Sequence, residues 1–320
     1  MKKEYLFLVL LIVALSAYLV FKKDNQQNYT LPEPVKIEKG EIDRLIITRK
    51  KMPIELTKEK DTWGITNKKY PADMAVVNKL LDVTRNLKVS GLISESRDIS
   101  RYELDDDHFI EVKAFKGEEV LRLFKIGKTA PSGNHTFIML AGDTRIYQAD
   151  NNFKNEFETS VDLLRDKQVM TFKEDTIKKL TIEKDGVTKV LTAVPSKKNT
   201  EKEDTEKNPV SWQFKDGVSP DKEALKNILS SLSFLTCEHF SDSLSKADLE
   251  KKSPLLKISL ENNPPIVLNL FEQNNGDTLV GTSSMSPYPF VLESYKEKDI
   301  LSYADKLAGL EKEKEKTNTE

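Results

Sequence analysis

The densest group of potential metal ligands is the run Asp-Asp-Asp-His at residues 105–108. Adjacent carboxylates and an imidazole could bind a divalent cation or exchange protons with a substrate. A calcium loop needs alternating oxygen ligands and a glycine at its sharp turn, and this run has neither. A zinc site needs further nitrogen or sulfur ligands, but His135, Cys237 and His239 are distant in the sequence. We therefore predict a solvated turn before a strand, without a metal.

A second motif, Gly127-Lys128-Thr129, resembles the end of a phosphate-binding loop. That loop requires a glycine five residues before Gly127, where this chain has Arg122. Pro131 and Gly133 also oppose the helix that must follow the loop. We therefore expect Gly127 to end a strand and open a turn, without a phosphate site.

Two nucleophile arrangements can be assembled from residue types alone. Ser132, His135 and Asp143 supply the three groups of a hydrolase triad, but no strained nucleophile turn surrounds Ser132. Cys237 and His239 stand two residues apart at the end of a predicted helix, where a small packed thiol is the expected state. We therefore predict no catalytic, cofactor-binding or metal-binding residue and expect a chain that is not an enzyme.

Aromatic side chains offer a different kind of site. Trp63 and Trp212 could stack on sugars or peptides, but their equivalent places in two similar stretches favour a core position between a hairpin and a helix. The run 283–290, Ser-Ser-Met-Ser-Pro-Tyr-Pro-Phe, suits a binding loop and a hairpin rim equally well.

The elements that carry these residues occur twice along the chain. Two amphipathic helices, at 70–87 and 219–235, follow the two tryptophans and place apolar residues at i, i+3, i+4 and i+7. Asp73 and Asp221 lie near their starts, where a carboxylate accepts free backbone N–H groups. A hairpin precedes each tryptophan, and alternating strands follow each helix. We predict an α+β fold of two tandem repeats, each an antiparallel sheet covered by one helix.

The composition shifts along the chain predict its boundaries. The first repeat is assigned to residues 42–152, a connecting helix and strand to 153–175, and the second repeat to 176–305. A polar insert at 195–210 lengthens the second hairpin and is predicted to be a dispensable surface loop. Residues 306–320 form a charged tail without an apolar face.

The first residues predict a membrane anchor. The uncharged apolar run 5–21 is flanked by lysines on both sides, so residues 1–23 are assigned to an N-terminal transmembrane helix and 24–41 to a linker. Ala14-Leu15-Ser16 would suit a signal-peptide cleavage site, but the apolar residues 18–21 that follow favour an uncleaved anchor. We expect the amino terminus in the cytoplasm, lipid around this helix, and the bulk of the chain outside the membrane.

Composition limits the partners of the remaining chain. The 320 residues are 38% hydrophobic and 32% charged, which suits well-solvated globular units. The formal net charge is −2 with both signs interspersed, so no basic stripe is present and nucleic acid is excluded as a partner. The single cysteine, Cys237, cannot form an internal disulfide.

Several short stretches together resemble a bacterial family. They are the tryptophan hairpin, Pro-Ala-Asp before the first helix, Arg-Tyr-Glu-Leu-Asp-Asp at 101–106, Ile126-Gly127, and the run DLLRDKQVMTF at 162–172. This order is similar to that of the membrane-anchored domain-of-unknown-function 4340 (DUF4340) family, over nearly the whole chain after the anchor. Glu103 and Asp107 stand where the family pattern has glycine and proline, which loosens the turn assignment.

The resemblance implies a place and a role. Members are often encoded near components of ABC exporters similar to the gliding-motility type, which implies a non-catalytic accessory subunit of a transport complex at the bacterial inner membrane. It supplies no catalytic residues. Two alternatives stay open: an envelope hydrolase acting on cell-wall polymer or lipid, combining Asp105 or Asp106 with His135 or His239, and a structural spacer.

Overall fold

A computed structural model describes residues 3–21, 29–65, 70–95, 98–195, 210–273 and 279–310. The chain divides into two compact units, residues 1–165 and 166–320. The division falls inside the segment 153–175 that the sequence assigns to a connection. The helices of the described residues are α1 Lys3–Phe21, α2 Met74–Arg85, α3 Lys154–Phe157, α4 Val161–Leu164, α5 Lys222–Ser233, α6 Lys246–Leu249 and α7 Ser294–Ala308, with 3-10 turns at Ser100–Tyr102 and Glu174–Thr176.

Strands such as Ile110–Lys116 and Leu256–Leu260 alternate buried and half-buried side chains, whereas all five residues of Leu279–Ser283 are buried. The first unit contains β1 Arg44–Arg49, β2 Met52–Glu59, β3 Thr62–Ile65, β4 Tyr70–Pro71, β5 Val89–Ser94, β6 Ile110–Lys116, β7 Glu119–Thr129, β8 Thr136–Leu140 and β9 Ile146–Ala149. The second contains β10 Gln168–Thr171, β11 Lys179–Lys184, β12 Val187–Pro195, β13 Val210–Phe214, β14 Phe234–Thr236, β15 His239–Phe240, β16 Leu256–Leu260, β17 Ile266–Glu272, β18 Leu279–Ser283 and β19 Phe290–Val291.

The described strands form one large antiparallel sheet in each unit. In the first unit the order is β4-β3-β2-β1-β6-β7-β8-β9-β5, and in the second it is β13-β12-β11-β16-β17-β18-β19-β15. Strands β10 and β14 form a separate pair in the second unit. The predicted α+β class with antiparallel sheets is confirmed. If the first sheet is read from β3 and the second from β13, corresponding strands occupy the same places: β3, β2 and β1 match β13, β12 and β11, and the match continues to β5 and β15.

The helices α2 and α5 lie within the predicted stretches 70–87 and 219–235, and they begin after the aspartates that the sequence places near their starts. Asp73 accepts the backbone N–H groups of Ala75 and Val76, at 2.7 and 3.3 Å, and so caps α2. Asp221 accepts the N–H of Ala224 at 2.7 Å and caps α5 in the same way. The inner stripe of α2 contains Val77, Leu80 and Thr84, and that of α5 contains Ala224, Leu225, Ile228, Leu229 and Leu232.

The second unit has a long helix that the sequence analysis does not assign. Helix α7 packs beside α5 and buries Ile300, Ala304 and Leu307 in the same core. It ends at Gly309, whose φ of 73° stops the helix, so the predicted boundary at residue 305 falls inside α7. Ile300, Tyr303, Ala304 and Leu307 follow the i, i+3, i+4, i+7 spacing of an amphipathic helix, so the signal for α7 was present in the sequence and was missed.

The connecting helix expected within 153–175 is two short helices, α3 and α4. The chain leaves the helical conformation between them, and the Ser160 hydroxyl accepts the Leu163 N–H at 3.3 Å to begin α4. Phe157 of α3 and Leu164 of α4 are buried in the first unit. Helices α3 and α4 therefore contribute to the core of the first unit.

The end of the assigned linker 24–41 also belongs to the first unit. Ile37 is 6% exposed, and its N–H donates to the Arg85 carbonyl at the end of α2 at 3.4 Å. The Val35 carbonyl accepts a hydrogen bond from the Arg122 side chain of β7. The linker makes both hydrogen bonds with backbone groups, the Ile37 N–H and the Val35 carbonyl. The side-chain types of this polar stretch therefore gave no sign of them.

Helix α1 covers the predicted anchor, and its described apolar side chains are exposed, Phe7 at 71% among them. Of the residues that the structure describes, no helix combines the length and apolar character needed to cross a membrane. The charged insert from 196 to 209 and the tail from 311 to 320 lie outside the described residues. Membrane anchoring and the tandem-repeat relation stay predictions.

Candidate functional site

The Asp105–His108 run is a closed turn before β6. The Asp105 carboxylate lies 2.7 Å from the His108 imidazole Nδ1 and accepts the Asp107 N–H at 3.2 Å. Its hydrogen bond with His108 holds the pKa of the Asp105 carboxyl below its ordinary value. Asp106, Asp107 and His108 are exposed. Among the described residues no group of three or more His, Cys, Asp or Glu side chains is placed to hold a metal ion.

An open cleft lies beside this turn. Its lining residues are Asp106, Asp107 and His108 together with Lys50 and Lys51, and its volume is about 400 Å³. The two lysines form the β1–β2 turn and both have positive φ, 49° and 62°. Cations and carboxylates therefore face one shallow, solvated opening. Such a cleft can attract a polar partner, but exposed pairs contribute little binding energy because water screens them.

The Ser132, His135 and Asp143 combination is not assembled as a triad. The His135 Nδ1 donates to the Ala149 carbonyl at 2.9 Å. The exposed Ser132 hydroxyl accepts the Asn134 N–H at 3.4 Å, within its own turn. Asp143 binds two other side chains, described below. Each group therefore stabilises a local structure.

The Asp143 carboxylate joins the middle of the turn between β8 and β9 to the start of β9. It accepts from the Arg145 side chain at 3.0 and 2.7 Å and from the Tyr147 hydroxyl at 2.6 Å. These bonds, the Arg145 bond first, hold the pKa of Asp143 well below its ordinary value. Burial and the adjacent carboxylate raise the pKa of Tyr147 to about 12. Arginine stays charged and Tyr147 neutral at physiological pH, so the cluster holds the turn in one conformation without a group that exchanges protons.

Gly127 lies inside β7, and the expectation that it ends the strand is wrong. A Cβ at this position would overlap the Tyr102 carbonyl oxygen and contact the Leu104 side chain. Glycine lets the segment that contains Tyr102 and Leu104 lie directly on β7. Thr129 donates to the Asn152 side chain at 3.2 Å, and the strand continues without the helix that a phosphate loop requires.

Cys237 and His239 differ in exposure although they stand two residues apart. Cys237 is 2% exposed and belongs to the core of the second unit, as predicted. His239 is exposed on β15, opposite Val291 of β19. The thiol is enclosed in the core while the imidazole faces the surface, so this pair does not form a nucleophile and its base.

The two tryptophans differ in burial. Trp63 on β3 is 4% exposed, which confirms its predicted core position. Trp212 on β13 packs against the core that α5 covers but is only partly buried, so the prediction holds for it in part.

The 283–290 run is a tightly bonded loop at the end of β18. Lys246 of α6 donates its ammonium to the carbonyls of Ser283 and Ser286, at 2.7 and 2.9 Å. The buried Ser286 hydroxyl donates to the Tyr288 carbonyl at 3.0 Å. Met285 is 46% exposed, and its sulfur accepts the Thr171 N–H at 3.5 Å. The loop is a rigid hairpin rim with one projecting methionine.

Two features with no sequence-level assignment lie near the start of the first unit. Arg122 is 8% exposed and donates to the carbonyls of Val35, Thr84 and Arg85.

Strand β5 ends the nine-stranded sheet, and an open cavity of about 370 Å³ is lined by its last residues and Tyr29. An uncharged run between Lys88 and Glu95 is the signal that could have identified β5.

Comparison with known proteins gives one match. The pattern of a family described as "Domain of unknown function (DUF4340)" matches residues 63–254. This range covers strands and helices of both compact units. No curated protein and no solved structure matches the chain.

Proposed function

The chain belongs to the DUF4340 family, and from this premise we propose that it is a membrane-anchored, non-catalytic binding subunit of an envelope transport complex. The complex is of the ABC type, similar to that of gliding motility. The bulk of the chain stands outside the bacterial inner membrane and contacts a membrane protein of the complex. The two compact units are tandem repeats of one α+β design, which their common strand order supports.

The observation that carries this proposal is the exposed apolar surface of α1. Tyr5, Phe7 and Tyr18 are 62%, 71% and 61% exposed, and other described side chains of α1 are similarly uncovered. The part of α1 from Tyr5 to Phe21 carries no charge, and an apolar surface of this kind gains free energy when lipid covers it. The lysines at positions 2, 3, 22 and 23 can reach the head groups at both ends.

The state of the candidate catalytic groups supports a binding role over a hydrolase. Asp143, His135 and Asp105 each bind groups in their own turn or strand pair. These contacts are with residues of the same turn or strand pair, and none of them joins two of the three groups into an acid–base pair. Two compact units with large sheets instead provide extended surface for protein contacts.

Membrane fractionation tests the anchor. The full chain is expected in the membrane pellet after alkaline carbonate extraction, which removes peripheral proteins. In a variant with Leu11→Lys and Leu15→Lys, each charge costs about 3 kcal/mol at the centre of an inserted helix, so the chain should move to the soluble fraction. Met52→Lys, at a side chain of β2 that is 69% exposed, is the matched control and should leave the chain in the membrane pellet. Carbonate release of the unchanged chain would contradict the proposal.

Affinity purification tests the role. The tagged full chain, cross-linked in native membranes, should retain a transport component that contains membrane-spanning helices, and the Leu11→Lys, Leu15→Lys variant should lose it. Replacing residues 29–310 with an unrelated domain of equal length separates a binder from a spacer. If the chimera still retains the transport component, the spacer is supported. If the unchanged chain retains no transport component, the proposal is contradicted.

A further inference from the structure

The outer edge of β10 presents a backbone N–H to a side chain. Among the described strands β10 pairs with β14 alone. Phe172 donates its N–H to the carbonyl of Ser233, the residue directly before β14, at 3.0 Å. Successive residues of an antiparallel strand direct their N–H groups to opposite sides, so the Thr171 N–H points away from β14. Its acceptor must come from outside the strand pair.

That acceptor is the sulfur of Met285, in the 283–290 loop. The sulfur accepts the Thr171 N–H at 3.5 Å, between residues that are 114 positions apart in the sequence. A thioether sulfur is a weak acceptor, so this hydrogen bond is weaker than the N–H···O bonds between the strands. The link between this loop and β10 therefore depends on the chemical state of one sulfur atom.

The backbone of Met285 is held in place while its side chain is accessible. Its N–H donates to the Ser283 hydroxyl at 3.1 Å, and the Lys246 ammonium donates to the carbonyls of Ser283 and Ser286 on either side of it. The Met285 residue is nevertheless 46% exposed. Methionine has three rotatable bonds, so the sulfur end can turn while the loop keeps its conformation.

An exposed thioether of this kind reacts with peroxide. A sulfur lone pair attacks one oxygen of hydrogen peroxide, so that an S–O bond forms and the O–O bond breaks. The departing hydroxide takes the proton of the transferred oxygen and leaves as water. The sulfur loses two electrons, the peroxide gains them, and the product is methionine sulfoxide. One lone pair of the Met285 sulfur faces the Thr171 N–H, and the other is left for this reaction.

We propose that Met285 is a site of reversible oxidation by peroxide, and that its sulfoxide ties the 283–290 loop to β10 more firmly than the thioether does. An oxygen accepts an N–H at a shorter distance and more strongly than a thioether sulfur. Rotation of the exposed side chain brings the sulfoxide oxygen to the Thr171 N–H. Met170, the neighbour of Thr171, is 1% exposed, so the core beneath the link is protected from the same reagent.

Other methionines provide the comparison for reactivity. Met52 and Met74 are 69% and 39% exposed, which brackets the 46% of Met285. Because peroxide must reach the sulfur, these three side chains should be oxidised together, and Met170 should stay reduced. Peptide mapping by mass spectrometry after treatment with dilute hydrogen peroxide measures the order.

Hydrogen exchange of the full chain in detergent tests the effect on the link. Electron-transfer fragmentation of the labelled peptides resolves the Thr171 amide. Its exchange should become at least about threefold slower once Met285 is oxidised, because a stronger hydrogen bond opens less often. Treatment with methionine sulfoxide reductases and a dithiol should return the exchange rate to its original value.

Two substitutions separate this sulfur from general oxidative damage. Met285→Leu removes the acceptor, so Thr171 should exchange faster than in the unchanged chain. Peroxide should then leave the Thr171 rate unchanged, although Met52 and Met74 are still oxidised. Met285→Gln places a carbonyl oxygen at a similar reach and should slow the Thr171 exchange without peroxide.

The unchanged chain alone can overturn the inference, so it stays testable if a variant does not fold. Faster exchange of Thr171 after oxidation would show that the sulfoxide breaks the link. An unchanged exchange rate would show that the oxygen does not reach the N–H. Resistance of Met285 to peroxide at the level of Met170 would show that it is not an oxidation site.

Discussion

Replacing Arg122 with methionine removes a buried cation that holds three backbone segments. Arg122 projects from β7 and donates to the carbonyls of Thr84 and Arg85, the last two residues of α2, and to that of Val35. Burial lowers the pKa of the Arg122 guanidinium, and no described acidic side chain contributes to the shift. The carbonyl end of the helix carries partial negative charge and compensates the cation.

The contacts allow the loss to be estimated. The Arg85 carbonyl keeps the Ile37 N–H as a donor at 3.4 Å, whereas the Thr84 and Val35 carbonyls lose the charged donor. Hydrogen bonds to charged groups contribute about 1.5–3 kcal/mol each, and the desolvation cost of the cation is returned in the variant. Methionine fills the volume of the arginine stem. We expect Arg122→Met to lower the free energy of unfolding of the first unit by about 2–4 kcal/mol.

The two tryptophans allow each unit to be followed separately. In a Trp212→Phe background, the fluorescence of Trp63 reports the denaturant unfolding of the first unit. In a Trp63→Phe background, Trp212 reports the second unit, which should be unaffected by Arg122→Met. Arg101→Met, at an exposed position, is the matched control and should change stability by less than about 0.5 kcal/mol. Equal shifts of both transitions, or a Trp63 transition that moves no more than in the control, would refute the reasoning.

Three further changes test separate parts of the fold. Gly127→Ala should destabilise the first unit by about 2 kcal/mol or more because its Cβ has no space, whereas Gly91→Ala should be near neutral, as thermal melts can show. Folding raises the pKa of Tyr147 from 10.0 to about 12, so its contribution to the free energy of unfolding is present below pH 10.0 and should be lost as the pH rises toward 12. Denaturant melts of Tyr147→Phe over the same pH range should show a smaller decrease in stability than those of the unchanged chain. Deleting residues 196–208 and closing β12 to β13 with a short glycine turn should change the unfolding free energy by less than about 1 kcal/mol, because the flanking Pro195 and Val210 already pair; a loss of several kcal/mol would place the insert in the core.

Local patterns in the sequence determined much of the architecture. The stripes of α2 and α5, their capping aspartates and the alternating strands depend on neighbours within a few residues, so spacing alone identifies them. The same holds for the rejected phosphate loop, since Arg122 and Pro131 break its pattern within one short stretch. The core position predicted for the tryptophans followed from their equivalent places in two similar stretches, and that of Cys237 from its place at the end of a predicted amphipathic helix.

Tertiary structure decided the features that join distant parts of the chain. Arg122 and Val35 are 87 residues apart, and only the folded sheet brings the guanidinium to that carbonyl. Glu103, in the place of the family glycine, has a φ of 57°, and its carboxylate forms an ion pair with Lys154 at 2.7 Å. Among the described strands β5 pairs with β9, so strand β9, far along the chain, decides the place of β5 at the end of the sheet. Residue types predict local conformation, but these contacts depend on three-dimensional proximity, which sequence spacing does not encode.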